Sequence, residues 1–301
     1  MISEAPTPRP SSVRVAPTMC AAVTERPGGP DGLIVRDVPR PEPRPGWALV
    51  KVEAFGLSYS ECMTPRGRSG DAVTFPRIPG IECVGTVAAV AGGSSAEPGA
   101  TVAAAMGGMG RSFDGGYAEY ALLPERQLMA VESVLPWEVL GALPETFLTA
   151  RGALDPLDLH PGQTLLLRGA TSSVGFACLE LARAAGVRVV ATTCREAKAR
   201  TLMARGAAAV VLEGTGLDAR ARAALPGVRA DGFVDLTGDH AALDAADARV
   251  AGPRLRAVVE QVERGEVDPC IDRVYTLDEI LEAHRRMAAG AATGKLVVVP
   301  G

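Results

Sequence analysis

A chain of 301 residues is longer than most single domains and suggests two, each large enough for its own core. Apolar residues make up 47% and charged residues 22%, ordinary globular usage that excludes wholesale disorder. A net charge of −4 with scattered Lys and Arg excludes a nucleic-acid surface, and no apolar run approaches the ~20 residues of a membrane helix.

Residues 1–18, rich in Pro and Ser, have no apolar segment of the secretory-signal kind and read as a disordered lead, with the folded chain starting at Met19. The alternation Val50-Lys51-Val52-Glu53-Ala54 predicts a half-buried strand, and residues 81–90, 101–106 and 117–123 predict further short strands between Gly-rich turns. This β-rich part, residues 19–143, predicts a barrel or sandwich. The period changes after Pro144. Strands are predicted at 164–167, 187–192, 208–212 and 233–236, with helices at 176–185 and 196–204 between them, the βαβ pattern of a parallel sheet. Residues 240–250 read as an Ala/Asp-rich helical stretch. Leu255, Val258, Val259 and Val262 give the stripe of an amphipathic helix. Thr276 and Glu279 predict a capping box opening a helix that carries Ile280, Leu281 and Met287, and residues 296–299 a closing strand. The six cysteines are widely spaced with no C-x-x-C, as in a reduced cytoplasmic protein rather than a disulfide scaffold.

Chemistry is carried first by residues 169–175, between a buried strand and a helix. A tight turn there brings backbone N–H groups and a helix N-terminus against a pyrophosphate. Gly175 stands where a side chain would push the helix off the strand. Ala170 and Ser172 take the places of two glycines, and Ser172 and Ser173 add hydroxyls. At the end of the next strand, where an NAD site offers a carboxylate to the ribose, the chain has Thr192-Thr193-Cys194-Arg195, with Lys198 one turn on. Arg195 either meets a 2′-phosphate, favouring NADPH, or is part of a solvated helix N-terminus.

These segments together resemble the medium-chain dehydrogenase/reductases, in their zinc-independent quinone-oxidoreductase-like branch. The resemblance rests on residues 56–61 (GLSYSE), 78–85 (IPGIECVG), 115–120 (GGYAEY), 144–150 (PETFLTA), 169–175 and 292–295 (ATGK), in family order over nearly all of the chain after Met19. It implies an α/β protein with a GroES-like β-barrel catalytic domain over 19–143, completed by 271–301, and a Rossmann (parallel, doubly wound) domain over 144–270. The active site would lie in the cleft between them. It also implies a cofactor, NADP(H), held by Met63, Thr149, Thr171, Ser172, Ser173, Val174, Gly175, Thr193, Arg195 and Lys198. Tyr59 and Glu61 lie on the loop that lines the family's substrate cleft, Tyr59 either as a proton donor to a reduced quinone or enone oxygen or as a wall residue. Zinc alcohol dehydrogenases place Cys and His where this chain has Ser58 and Ile81, so no catalytic zinc is expected. Tyr117, Tyr120 and His284 are expected to be packed residues.

The Rossmann domain reads as shortened after Gly238. No apolar strand lies between Gly238 and Arg254, an interval that in relatives holds a further βαβ unit of ~30 residues or more. The expected function is NADPH-dependent hydride transfer to a small quinone or α,β-unsaturated carbonyl. The alternative is a catalytically impaired relative that keeps nucleotide binding or a partner-interaction role. A homodimer through the sheet edge is open to question for the same reason, and neither nucleic acid nor membrane is expected as a partner.

Overall fold

The computed structural model describes residues 17–28, 32–63, 73–225, 229–237 and 248–301. Residues 1–16 of the expected lead (1–18) and residues 240–247 of the Ala/Asp-rich stretch (240–250) lie outside the described residues, whereas Thr18 of that lead already belongs to the first strand.

The chain begins with an antiparallel ribbon, β1 (Thr18–Thr24) on β2 (Leu33–Pro39). Strand β3 (Trp47–Leu57) buries most of its side chains, and α1 (Tyr59–Met63) follows it directly. Strands β4 (Glu82–Val90), β5 (Thr101–Ala105), β6 (Tyr120–Pro124) and β7 (Met129–Ala130) fold antiparallel around β3. Short helix α2 (Trp137–Leu140) and α3 (Pro144–Leu154), with Pro at its start as the first helical turn tolerates, lead to the second sheet.

There the pattern becomes β8 (Thr164–Arg168), α4 (Ser173–Ala184), β9 (Arg188–Thr193), α5 (Glu196–Ala204), β10 (Ala209–Leu212), α6 (Leu217–Ala223) and β11 (Gly232–Asp235). The four strands run parallel in the order β10-β9-β8-β11, so the chain steps outward from β8 to β10, then crosses to the other side. Helix α7 (Ala248–Glu263) follows, then β12 (Ile271–Thr276), α8 (Ile280–Ala288) and β13 (Lys295–Val299). Strand β13 pairs antiparallel with the end of β3 and parallel with β12, so the C-terminal segment completes a seven-stranded first sheet. The mixed α/β architecture with a GroES-like barrel and a Rossmann-type sheet stands as expected.

Several details differ. The sequence pattern missed β1, β2 and β12, because small and charged residues break their alternation. Helix α7 starts before the predicted Leu255 and runs through Pro253. Burial of Ala251, Leu255, Val258 and Val259 along one stripe outweighs the hydrogen bond that proline cannot donate. Tyr120 is not a core residue: it is half-buried under the Arg40 guanidinium, 5.0 Å from the ring centroid. The predicted capping box is present, the Thr276 N–H donating to the Glu279 carboxylate at 2.8 Å.

One apolar cluster runs without a break from Ala54, Val84 and Ala103 of the first sheet, through Leu143 and Phe147, to Leu165, Phe176 and Leu255. A second fills the barrel around Phe55, Tyr117, Leu123 and Val298. Helix α3 is therefore packed from both sides, and it carries Thr149.

Candidate cofactor and catalytic site

The turn between β8 and α4 has the geometry of an anion cradle. Gly169 has φ +75°, a conformation that favours glycine. The Ser172 hydroxyl caps α4, accepting the Gly175 N–H at 3.0 Å and donating to the Gly169 carbonyl at 3.0 Å. It is thereby committed to the turn rather than offered as a free donor. A Cβ on Gly175 would stand 2.6 Å from the Ala170 carbonyl carbon and the Gly169 oxygen, so only glycine lets the helix lie this close to the strand. The N–H groups of Thr171, Ser173 and Val174 meet no acceptor among the described residues. Three such donors at a helix N-terminus, at the carboxyl edge of a parallel sheet, match what a pyrophosphate requires.

At the end of β9 the sequence reading needs correction. Thr193 is buried, its hydroxyl accepting the Arg195 N–H at 3.1 Å and its carbonyl accepting the Glu213 N–H at 2.9 Å, so its side chain shapes the turn and is not presented outward. A carboxylate does reach this strand end, from the neighbouring strand: Thr192 donates to Glu213 at 2.6 Å. Arg168 holds Glu213 at 3.4 Å and Asp235 at 3.0 Å, so its guanidinium offsets both charges along the sheet edge. The residues of β9 alone do not disclose Glu213, which follows β10.

Arg195 and Lys198 stand side by side over the C-terminal end of α8. Arg195 donates to the carbonyls of Gly290 (2.5 Å) and Ala289 (3.1 Å), and Lys198 to those of Gly290 (3.2 Å) and Ala292. Cations suit a helix C-terminus, whose last carbonyls have no partner within the helix. Burial, with the Arg195 charge beside it, pushes the Lys198 ammonium below its usual range. Neither cation has a carboxylate partner among the described residues, so no ion pair offsets either one and spare donors remain for an anion.

The two loop residues part company. Tyr59, at the start of α1, is 58% exposed. Glu61 is 2% exposed, and its carboxylate accepts the N–H of Ser58 (2.7 Å), the N–H of Ile81 (2.8 Å) and the hydroxyl of Tyr117 (2.8 Å). It straps together Ser58 and Ile81, instead of lining a cleft. Burial raises its carboxyl to about 7, against the lowering by these hydrogen bonds. The Tyr117 hydroxyl also lies 3.1 Å from His284 Nε2, and burial lowers His284 to about 4. The packed histidine is as expected. The Met63 side chain lies outside the described structure.

A second buried network escaped the sequence reading. Lys295 reaches Glu82 at 2.6 Å and Glu145 at 3.5 Å, while Glu82 accepts the Glu145 N–H at 2.8 Å. Burial lowers the Lys295 ammonium, but the two carboxylates outweigh it and the net shift is upward, which keeps the cation charged. Glu145 in turn accepts the Thr149 hydroxyl at 3.2 Å. The network thus ties β4, α3 and β13 together and fixes the direction of the Thr149 hydroxyl proton. The signal lay in the paired GIE and TGK motifs, but nothing local says that they meet.

Among the described residues no group of three or more His, Cys, Asp or Glu could hold a metal ion. No helix among the described residues is long and apolar enough to cross a membrane.

Known proteins with the same features extend the picture. The alcohol dehydrogenase GroES-like domain family matches residues 44–133, and the zinc-binding dehydrogenase family matches residues 170–298. A quinone oxidoreductase from Pongo abelii is 30% identical over 183 residues, covering 60% of this chain and 54% of its own. A chloroplastic quinone oxidoreductase from Triphysaria versicolor is 27% identical, covering 91% of this chain and 95% of its own. The crystal structure of a probable oxidoreductase from Mycobacterium abscessus shares the fold with a TM-score of 0.83 and 25% identity, over 95% of this chain and 100% of that one. The chain spans about half the length of the first curated relatives it matches. With a GroES-like barrel, a parallel nucleotide-type sheet and these matches in the same order, the chain belongs to the medium-chain dehydrogenase/reductase superfamily.

Proposed function

We propose that the chain is an NADP(H)-dependent, zinc-independent oxidoreductase that reduces a quinone or an α,β-unsaturated carbonyl. The observation that carries this is the turn 169–175, whose Thr171, Ser173 and Val174 N–H groups meet no acceptor among the described residues and would hold a pyrophosphate. Arg195 and Lys198, without carboxylate partners among the described residues, would bind the 2′-phosphate, and the oriented Thr149 would meet the nicotinamide end. Its hydroxyl donates to Glu145, which leaves its lone pairs to accept an amide N–H. The cofactor, when bound, supplies a hydride. A quinone or enone that has taken a hydride carries negative charge on oxygen, and Tyr59, exposed on the loop after β3, has a proton to give. Glu61 has no such role, since every partner of its carboxylate is in the protein wall. Zinc independence is supported by Ser58 and Ile81 at the ligand positions and by the strap that closes them.

A second reading is favoured by one observation. The parallel sheet stops at β11 among the described residues, and Phe233 on that strand is 53% exposed. A chain that anchors adenosine and pyrophosphate but holds the nicotinamide loosely would bind nucleotide and turn over poorly. The test is NADPH oxidation with para-benzoquinone and with methyl vinyl ketone, with and without chelator. Quinone- or enone-dependent oxidation, unchanged by chelator and slowed by Tyr59→Phe, is expected. Tight NADPH binding with no turnover on either acceptor would leave the second reading standing.

A further inference from the structure

A cavity of about 470 Å3 opens on the barrel between the β1–β2 ribbon, the loop around Phe113 and strand β6. None of the residues assigned above to the cofactor or to the loop after β3 lines it. Its wall includes Val38, Trp47, Ile78, Phe113 and Leu122, together with three arginines. The Trp47 and Phe113 rings meet edge to face, with centroids 5.2 Å apart. The Arg44 guanidinium lies over the Trp47 ring, 4.1 Å from its centroid.

The arginines are not equivalent. Glu25 neutralises Arg36 at 2.7 Å, and Asp114 neutralises Arg77 at 2.9 Å. Arg44 has no carboxylate partner among the described residues; its side chain meets only the indole face. A volume in the range of small-molecule sites, an aromatic wall and one uncompensated guanidinium define a ligand with a flat apolar body and a single negative charge. A neutral ligand would leave the guanidinium unused. Among the described lining residues a dianion would find no second unpaired cation, because Arg36 and Arg77 are already paired; Arg40, over the Tyr120 ring, is not a lining residue.

We propose that this cavity is a binding site, separate from the cofactor site, for an aromatic monocarboxylate whose ring packs on Trp47 and Phe113 and whose carboxylate pairs with Arg44. The stacked guanidinium is pre-oriented by the indole, which reduces the side-chain entropy lost on pairing.

The experiment is calorimetric titration of the full chain with naphthalene-2-carboxylate, and with the neutral naphthalene-2-carboxamide as control. One acid molecule is expected per chain, with the amide bound about tenfold or more weakly, since a hydrogen bond to a charged group contributes ~1.5–3 kcal/mol. Arg44→Gln should weaken the acid to the level of the amide while leaving NADPH affinity unchanged, because Arg44 is exposed and lies outside the cofactor machinery. Saturating NADPH should leave acid binding unaltered. Absence of saturable binding, an affinity unchanged by Arg44→Gln, or displacement of the acid by NADPH would each overturn the proposal.

Discussion

The Glu61 carboxylate illustrates how one buried group can act on stability rather than on chemistry. Its folded pKa, raised to about 7, exceeds its ordinary value of 4.5, so its contribution is complete below about pH 4.5 and is lost as pH rises through about 7. His284 has the opposite sign. Lowered from 6.5 to about 4, it contributes above about pH 6.5 and loses that contribution as pH falls through about 4. In the wild type the two slopes therefore oppose each other between about pH 4.5 and 6.5. Glu61→Gln leaves only that of His284. Urea unfolding across this range should show the advantage of wild type over Glu61→Gln shrinking as pH rises towards 7, by about 3 kcal/mol at most for a shift of this size. A difference independent of pH would contradict the assignment. Tyr117 can serve both protonation states: it donates to the ionised Glu61, or accepts from the protonated one while donating to His284.

At the scale of elements, two contacts hold the candidate site in place. The helix α4 sits against β8 only because Gly175 has no Cβ. Gly175→Ala should push the helix away from the Ala170 backbone, destabilise by ~1–3 kcal/mol in chemical denaturation, and weaken nucleotide binding in parallel. The second contact is the buried cation on β13. Lys295→Met leaves Glu82 and Glu145 buried without their counter-charge, which should cost about 3–5 kcal/mol. Because burial raises the Glu82 carboxyl, that deficit should diminish on acidification, as the stranded group takes a proton. A deficit that grows at low pH would show that the pair does not carry the junction. Elements with a clear period, such as β3, β9, α5 and the stripe of α7, were legible in the sequence, as was the cofactor turn, which is local. The ribbon β1–β2 was not, because its burial pattern does not alternate cleanly. Nor was α3, whose buried face includes Glu145 and Thr146. The Glu61–Tyr117–His284 and Glu82–Lys295–Glu145 groups were beyond sequence reading for another reason: their members come from distant elements that only the barrel brings together.

For the molecule as a whole, the C-terminal strands close the first sheet, and one apolar cluster joins it to the second, so the carbonyls that follow α8 face Arg195 and Lys198. Binding of a 2′-phosphate at Arg195 and Lys198 would therefore join both halves of the chain. If the nicotinamide half is loosely held, 2′,5′-ADP should bind nearly as tightly as NADPH; NADPH bound far more tightly, with ordinary turnover, would show that site to be intact. Calorimetric titration of the full chain with NADPH and NADH tests the nucleotide site itself. One NADPH per chain is predicted, bound about tenfold or more tightly than NADH, with the gap narrowed in Arg195→Ala. Equal affinities in the wild type, or binding of neither nucleotide, would contradict it.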